Sequence, residues 1–439
     1  MDLANKILEG KAKVAVIGIG YVGLPLGIEI ARAGFTTVGI DVDKTKVAAV
    51  RKGKSFIGDV KDSDVAEVTG NGQFSATTDF GVLASCDIIN ICVPTPFTAS
   101  KDPDVSYIED SGRKIAKYMK PGQLIILRST TYPETTEKVL QPILDATGKK
   151  VGRDYFLSFV PERIDPGNHK YNTRTTPVVV GGVTKACTDL SVQFYARFVD
   201  KVIPVSSPRA AEMSKLLENI FRSVNIALVN EMAMMCERMG NLDIWEVINA
   251  ASSKPFGFMP FFPGPGIGGH CILIDPYYLA WKAREYDFHS NFIELAAETN
   301  EGMPFYVADR ILETLGTNGI AASKARLLIL GAAFKGNVED TRHSPAIKVM
   351  ELILDKMAEV DYHDPWVPAI EIGKRRLKSV PLTAQSLNKA DCVVILTDHK
   401  CFDYDFIFKH SKLILDARNA IKRRGSNKLY TLGNRPIKR

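Results

Sequence analysis

The 439-residue chain has no Cys-x-x-Cys pair, and its seven cysteines (Cys86, Cys92, Cys187, Cys236, Cys271, Cys392 and Cys401) are odd in number and widely spread. Neither a disulfide framework nor a zinc site is suggested, so no metal and a reducing, cytoplasmic setting are expected. Long apolar runs are also missing. The first apolar stretch, residues 14–30, is broken by Gly18, Gly20, Gly23, Gly27 and Glu29, and the opening Met-Asp-Leu-Ala-Asn-Lys carries an acid and no apolar core. Neither a secretory signal nor a membrane span is expected. A large excess of one charge sign is missing as well. The formal net charge is +6, but residues 417–439 hold eight basic side chains and no acidic one, and without them the balance is −2. With no aromatic-rich basic groove beside that tail, nucleic acid is not expected as a partner.

What is present is an ordinary globular composition, 45% hydrophobic and 24% charged, on a chain long enough for two or three domains. Between residues 13 and 131, short apolar runs (Lys13–Gly18, Thr37–Asp41, Cys86–Cys92, Gln123–Arg128) alternate with helical patterns, the rhythm of a parallel sheet covered by helices. From Ser207 to Ala250 the apolar residues Met213, Leu216, Leu217, Ile220, Val224 and Leu228 fall at helical spacing, which predicts a long connecting helix and a neighbour. Strand signals return at Arg326–Gly331, Glu359–His363, Asp391–Leu396 and Lys412–Asp416. The expectation is an α/β protein: two doubly wound, Rossmann-like domains joined by a long central helix and a helical middle domain.

The first motif with chemical content is Gly18-Ile-Gly20-Tyr-Val-Gly23, directly after a strand signal and before a helical stretch. Its glycines allow a tight turn, close approach to a pyrophosphate and helix–strand packing, and Asp41 ends the next strand where it can accept from ribose hydroxyls. A carboxylate there repels a 2′-phosphate, which favours NAD over NADP.

The second is Pro263-Gly-Pro-Gly-Ile-Gly-Gly-His-Cys271, followed by Asp275-Pro276. The pair Asp275-Pro276 reads as N-cap and first residue of a helix, placing Cys271 just before a helix N-terminus, where a thiolate is stabilised. A thiolate beside a dinucleotide site has a specific use: it can add to an aldehyde, so that a second hydride leaves and a thioester remains for water to open. An inert buried thiol is the plainer reading of a lone cysteine. The third motif is Glu212, Lys215 and Asn219, of which Lys215 and Asn219 are one helical turn apart. The segments Val93–Pro96, Ser129–Pro133 and Pro161–Arg163 follow strand signals, at the edge where such folds bind ligands.

Together with Phe334-Lys-Gly-Asn-Val-Glu-Asp-Thr-Arg342, these segments resemble the UDP-glucose/GDP-mannose dehydrogenase family over nearly the whole chain, most closely its branch acting on C6 of UDP-N-acetylglucosamine. The resemblance implies an NAD-binding domain at 1–206, a central helical domain with the cysteine loop and dimer interface at 207–320, and a UDP-sugar-binding domain at 321–439. It implies four-electron oxidation of a sugar C6 alcohol to a carboxylate with two NAD, on a homodimer or higher oligomer. By position, Cys271 is the implied nucleophile. The resemblance further implies that Lys215, Asn219 and Asp275 would hold an oxyanion and a water, that Glu162 would assist proton transfer or thioester hydrolysis, and that Thr131 belongs with the catalytic group. It implies that NAD would be held by Gly18, Gly20, Tyr21, Val22, Gly23 and Asp41, with Pro94, Thr95 and Thr131 toward the nicotinamide and Arg342 reaching in. The nucleotide sugar would meet Glu162, Arg163, Lys215, Asn219, Phe262, Gly268, Phe334 and Lys335.

Three residues depart from the family pattern: Leu273 where Pro is common, Arg128 where an acidic residue often precedes the Ser-Thr-Thr run, and Glu134 where Gly is common. The substrate alternatives are UDP-glucose, UDP-N-acetylmannosamine and UDP-N-acetylgalactosamine. Rival functions are a two-electron NAD dehydrogenase, a cysteine-dependent aldehyde dehydrogenase and a non-catalytic sensor of NAD and nucleotide sugars.

Overall fold

Strands of a parallel sheet covered on both faces bury all their side chains and so read as unbroken apolar runs. Val-Ala-Val-Ile, Ile-Ile-Asn-Ile and Gln-Leu-Ile-Ile-Leu are fully buried strands in the computed structural model. It describes residues 2–58, 60–98, 101–164, 171–269, 271–423 and 425–434, without the side chain of Cys271. Two compact units are formed, residues 1–218 with 277–289 and residues 219–276 with 290–439. The segment 207–320 is distributed between them.

In the first unit β1 (Val14–Ile17), β2 (Thr37–Ile40), β3 (Phe74–Thr77), β4 (Ile88–Ile91), β5 (Gln123–Leu127), β6 (Tyr155–Phe159), β7 (Val178–Gly182) and β8 (Val202–Val205) form one sheet in the order β3-β2-β1-β4-β5-β6-β7-β8. The pairs from β3 to β6 are parallel, β7 runs antiparallel to β6, and β8 parallel to β7. Val14 faces Thr37 on one side and Ile88 on the other, so the order reverses at β1 and ligands are expected outside the carboxyl ends of β1 and β4. Pro204 is tolerated in β8 because that strand is the sheet edge. The expected strands are β1, β2, β4 and β5, and the strand signal before Pro161 is β6; β3, β7 and β8 are not among those expected.

The second unit holds β9 (Arg326–Leu330), β10 (Glu359–His363), a hairpin of β11 (Ala369–Ile372) and β12 (Arg375–Lys378), β13 (Cys392–Ile395), β14 (Ile414–Asp416) and β15 (Leu429–Thr431). Its parallel sheet is ordered β10-β9-β13-β14-β15. Helices Asn291–Thr317 and Pro345–Ile353 cover one face, with Met303, Val307, Ile311, Val349 and Met350 packed into a single core with Leu327 and Ile329. The long helix expected in the middle runs unbroken from Pro208 to Met239 and is followed by Ile244–Ala251. Among the described residues no helix is long and apolar enough to cross a membrane.

Candidate active site

The turn after β1 has the steric logic of a dinucleotide loop. Gly18 has φ +87°, and a Cβ there would meet the Cys92 carbonyl oxygen at 2.6 Å, while one on Gly23 would lie 1.8 Å from the Gly18 oxygen. Around Gly20 a Cβ would meet nothing within 4 Å, so that glycine keeps space open at the switch point rather than relieving a clash. Val22 stands at the N-cap of the helix Gly23–Arg32, and the Tyr21 side chain is exposed beside it. Asp41 accepts from the Ile19 N–H (3.1 Å) and the Asp43 N–H (2.9 Å), which aims its carboxylate at the same turn. These residues fit a dinucleotide: an open backbone for the pyrophosphate at a helix start, and an acid for the ribose.

The loops after β4, β5 and β6 carry the other expected residues of this unit. Pro94 is exposed; Thr95 is buried, and its hydroxyl donates to the Thr130 carbonyl at 2.7 Å. The Thr131 hydroxyl is buried against that of Thr135 (2.8 Å). Tyr278 donates to the carbonyls of Thr95 and Pro96, a clamp on this loop that sequence reasoning did not find. Glu162 Oε2 accepts from Arg128 Nη2 at 2.5 Å, and Oε1 accepts from the backbone N–H groups of Arg163 and Ile164, each at 2.8 Å. Burial works against the charge on Glu162. The charge and hydrogen bond of Arg128 outweigh it and, with the two N–H groups, hold the carboxyl below its ordinary value. The Arg163 guanidinium pairs with Glu218 and donates to the Pro177 carbonyl.

On the long helix the three expected residues separate in role. Glu212, fully buried, turns to the Thr131–Thr136 loop, where it accepts from the N–H groups of Glu134 and Thr136 and from the Thr136 hydroxyl. Lys215 is 8% exposed, yet among the described residues its ammonium makes no hydrogen bond or ion pair. One turn further on, Asn219 donates to Asp275, and both are buried.

In the second unit the cysteine loop is built on backbone. Gly264 N–H donates to Asn230 Oδ1 at 3.0 Å and Gly269 N–H to the Arg342 carbonyl at 3.0 Å, and a Cβ on Gly268 would strike Phe334, His343 and Pro345 at 2.7–2.8 Å. Gly268, Phe334 and Arg342 are thereby brought together. Arg342 is held by Asp340, Lys335 is half-buried, and the exposed Phe262 ring stacks on Trp245 at 5.6 Å. One expectation is corrected: the helix begins at Cys271, not at Asp275, and Pro276 lies inside it. A proline at the sixth position removes one bond, to the Ile272 carbonyl, so the helix starts a turn before the proline signal. Cys271 is then the first helical residue; its side chain lies outside the described residues.

The turn after β9 matches the one after β1 but is closed to a dinucleotide. Gly331 takes φ +88° like Gly18, but the N–H groups of Ala332 and Ala333 are spent on Asp364 Oδ2, which also accepts from His399 Nε2 at 3.0 Å. That leaves one unit with an open dinucleotide turn and a second doubly wound unit suited to another ligand, the class of two-nucleotide oxidoreductases. The chain belongs to the UDP-glucose/GDP-mannose dehydrogenase family: the family's NAD binding domain matches residues 12–199, its central domain 209–302 and its UDP binding domain 328–423. The cofactor is therefore NAD and the substrate a UDP-sugar. A UDP-N-acetyl-D-mannosamine dehydrogenase of Pyrococcus horikoshii is 37% identical, over 93% of this chain and 96% of the relative. A UDP-N-acetyl-D-glucosamine 6-dehydrogenase of Pseudomonas aeruginosa is 34% identical, over 89% and 91%. Among solved structures, UDP-N-acetylmannosamine dehydrogenases of P. horikoshii (TM-score 0.88, 33% identity, 97% of this chain and 100% of that one) and Staphylococcus aureus (0.83, 31%, 96% and 98%) share the fold.

Proposed function

We propose that the chain oxidises the C6 hydroxyl of a UDP-N-acetylhexosamine to the carboxylate through a thioester on Cys271. The observation that carries this reading is Lys215, a buried residue whose ammonium has no partner among the described residues, one turn before an Asn219–Asp275 pair. A cation held on a mostly buried side chain and left without a protein partner is placed to meet a negative group of a ligand. NAD, when bound, supplies the hydride acceptor for each of two two-electron steps. Lys215 and Asn219 stabilise the C6 oxyanion, and the Cys271 thiolate, favoured at the first residue of a helix, adds to the aldehyde carbon. Loss of the second hydride from that adduct gives the thioester. Glu162, an anion with one acceptor position left, orients the water that opens it and regenerates the thiol.

The loop-and-turn residues Gly18, Gly20, Tyr21, Val22, Gly23, Asp41, Pro94, Thr95, Thr131 and Arg342 are proposed for NAD, and Arg163, Phe262, Gly268, Phe334 and Lys335 for the nucleotide sugar. The family resemblance favours the gluco sugar; the 37% identity to a UDP-N-acetyl-D-mannosamine dehydrogenase favours the manno epimer. An NADH endpoint with limiting UDP-N-acetylglucosamine, UDP-N-acetylmannosamine or UDP-glucose and excess NAD tests both chemistry and substrate. Two NADH per sugar are expected with one of the first two. One NADH overturns the thioester, two with UDP-glucose alone overturns the N-acetyl sugar, and binding without any NADH makes the protein a sensor. Cys271→Ser is expected to lose net turnover to acid by at least about 10³-fold.

A further inference from the structure

We propose that Arg128 is a positioning residue for the hydrolytic step: it fixes the Glu162 carboxylate as a permanent anion with a single free acceptor position. This rests on the reading of Glu162 as the group that orients water. Arg128 is 2% exposed and lies on the first residue after β5, while Glu162 lies just past β6, the adjacent parallel strand. The guanidinium donates through Nη2 to Glu162 and through Nη1 to the Tyr195 hydroxyl at 2.8 Å; that hydroxyl donates to Asn90 Oδ1 at 3.0 Å on β4. A planar fork held at both ends cannot swing away from the carboxylate.

Among the described residues, the titratable groups facing the pair are Tyr195 and Cys92. Burial pushes each up to about 12, so both stay neutral and add no competing charge. Three of the four acceptor positions on the carboxylate are taken, two on Oε1 by backbone N–H groups and one on Oε2 by Arg128. The remaining position on Oε2 can take one water hydrogen. Arg128 therefore makes Glu162 a weak but always available acceptor. An acidic residue at position 128 would instead push the Glu162 proton affinity up.

The test is the pH profile of kcat for wild type, Arg128→Met, Arg128→Lys and Tyr195→Phe, using whichever UDP-N-acetylhexosamine yields two NADH, with thermal melts to verify folding. Loss of Arg128 is expected to move the acid limb of kcat up by about one to three pH units. Lysine should restore it in part, and Tyr195→Phe should move it less and in the same direction, which keeps the test usable where Arg128→Met does not fold. KM for both ligands should stay within about twofold. Glu162→Gln separates the two readings. Full turnover in that variant removes Glu162 from catalysis and the proposal with it. Loss of turnover in Glu162→Gln together with an unmoved acid limb in folded Arg128 and Tyr195 variants overturns the positioning role alone.

Discussion

At the scale of single residues, the two outer glycines of the first motif are packed against backbone and the middle one faces open space, where the proposed cofactor would approach. A methyl on Gly20 meets no protein atom within 4 Å, whereas one on Gly23 would sit 1.8 Å from a backbone oxygen. Gly20→Ala should melt like wild type while raising KM for NAD about tenfold or more, equivalent to about 1.4 kcal/mol or more. Gly23→Ala should lower stability by about 1–3 kcal/mol or fail to fold. Urea melts and NAD titration of the two variants check this, and equal loss of affinity at equal stability would remove the distinction. Glu134 shows what a departure from glycine demands. At φ +83° it occupies the left-handed region, and its buried carboxylate is held by Lys138 (2.6 Å), Lys282 (2.8 Å), Arg209 (3.2 Å) and the Tyr286 hydroxyl (2.6 Å). Burial opposes its charge, but these partners prevail and hold it at about 2. A depressed carboxyl contributes stability that is complete above its ordinary 4.5 and is lost as the pH falls toward 2. Glu134→Gly relieves the backbone but strands the cations, so a net loss of about 1–3 kcal/mol at pH 7 is expected, shrinking as the pH falls below 4.5 and gone near pH 2.

At the scale of elements, Glu212 caps the start of the π-helical turn Thr135–Leu140 from outside, supplying an acceptor to the Glu134 and Thr136 N–H groups. Burial raises it to about 7 despite three donors. The sign is opposite to that of Glu134: a raised carboxyl contributes stability that is complete below 4.5 and is lost as the pH rises through 7. The protonated form keeps its bonds if the Thr136 hydroxyl reverses and accepts. The unfolding free energy of the wild type, from urea melts, should thus fall between about pH 4.5 and 7 by up to about 3 kcal/mol from this group, and Glu212→Gln should flatten that part of the curve. An unchanged slope in Glu212→Gln would show that the carboxylate stays ionised. Sequence alone reached the elements with strong periodicity: β1, β2, β4 and β5 as aliphatic runs, and the helix Pro208–Met239 as a 3.6-residue pattern. It missed β3 and β8, whose Phe-Ser-Ala-Thr and Val-Ile-Pro-Val are short and incompletely buried, because edge strands lack the double-sided apolar signal, and it missed the buried β7, whose apolar run is only Val-Val-Val before two glycines. In the site, glycine spacing and the strand-end acid were legible because their physics is local. Glu212 with the Glu134 loop, Arg128 with Glu162, and the Tyr278 clamp join positions 34 to 183 residues apart, and no local pattern announces them. Arg128 and Glu134 did stand out as departures, and each departure proved to come with its own partner set.

At the scale of the whole molecule, the long helix carries a feature that the described residues leave largely exposed. Met213, Leu217, Phe221, Leu228, Met235 and Met239 are 42–64% exposed. At 100° per residue they fall within an arc of about 80°, a stripe about 39 Å long. Scattered exposed apolar residues are normal, but an apolar stripe of this length, crossed within its arc by Glu231, marks an interaction surface. A second copy of the chain is the proposed occupant, because the isologous contact of a two-fold dimer lets one helix face meet itself. Phe221→Glu with Leu228→Glu places four like charges near one another across such a contact, where desolvation alone costs several kcal/mol. Light scattering at micromolar concentration should show twice the chain mass for wild type and the chain mass for the double variant, with the urea midpoint of the variant no longer rising with protein concentration. Lys215 and Asn219 lie on this same helix, so loss of the partner is expected to lower kcat as well as mass. A double variant that keeps the wild-type mass would show that the stripe faces something other than a second copy.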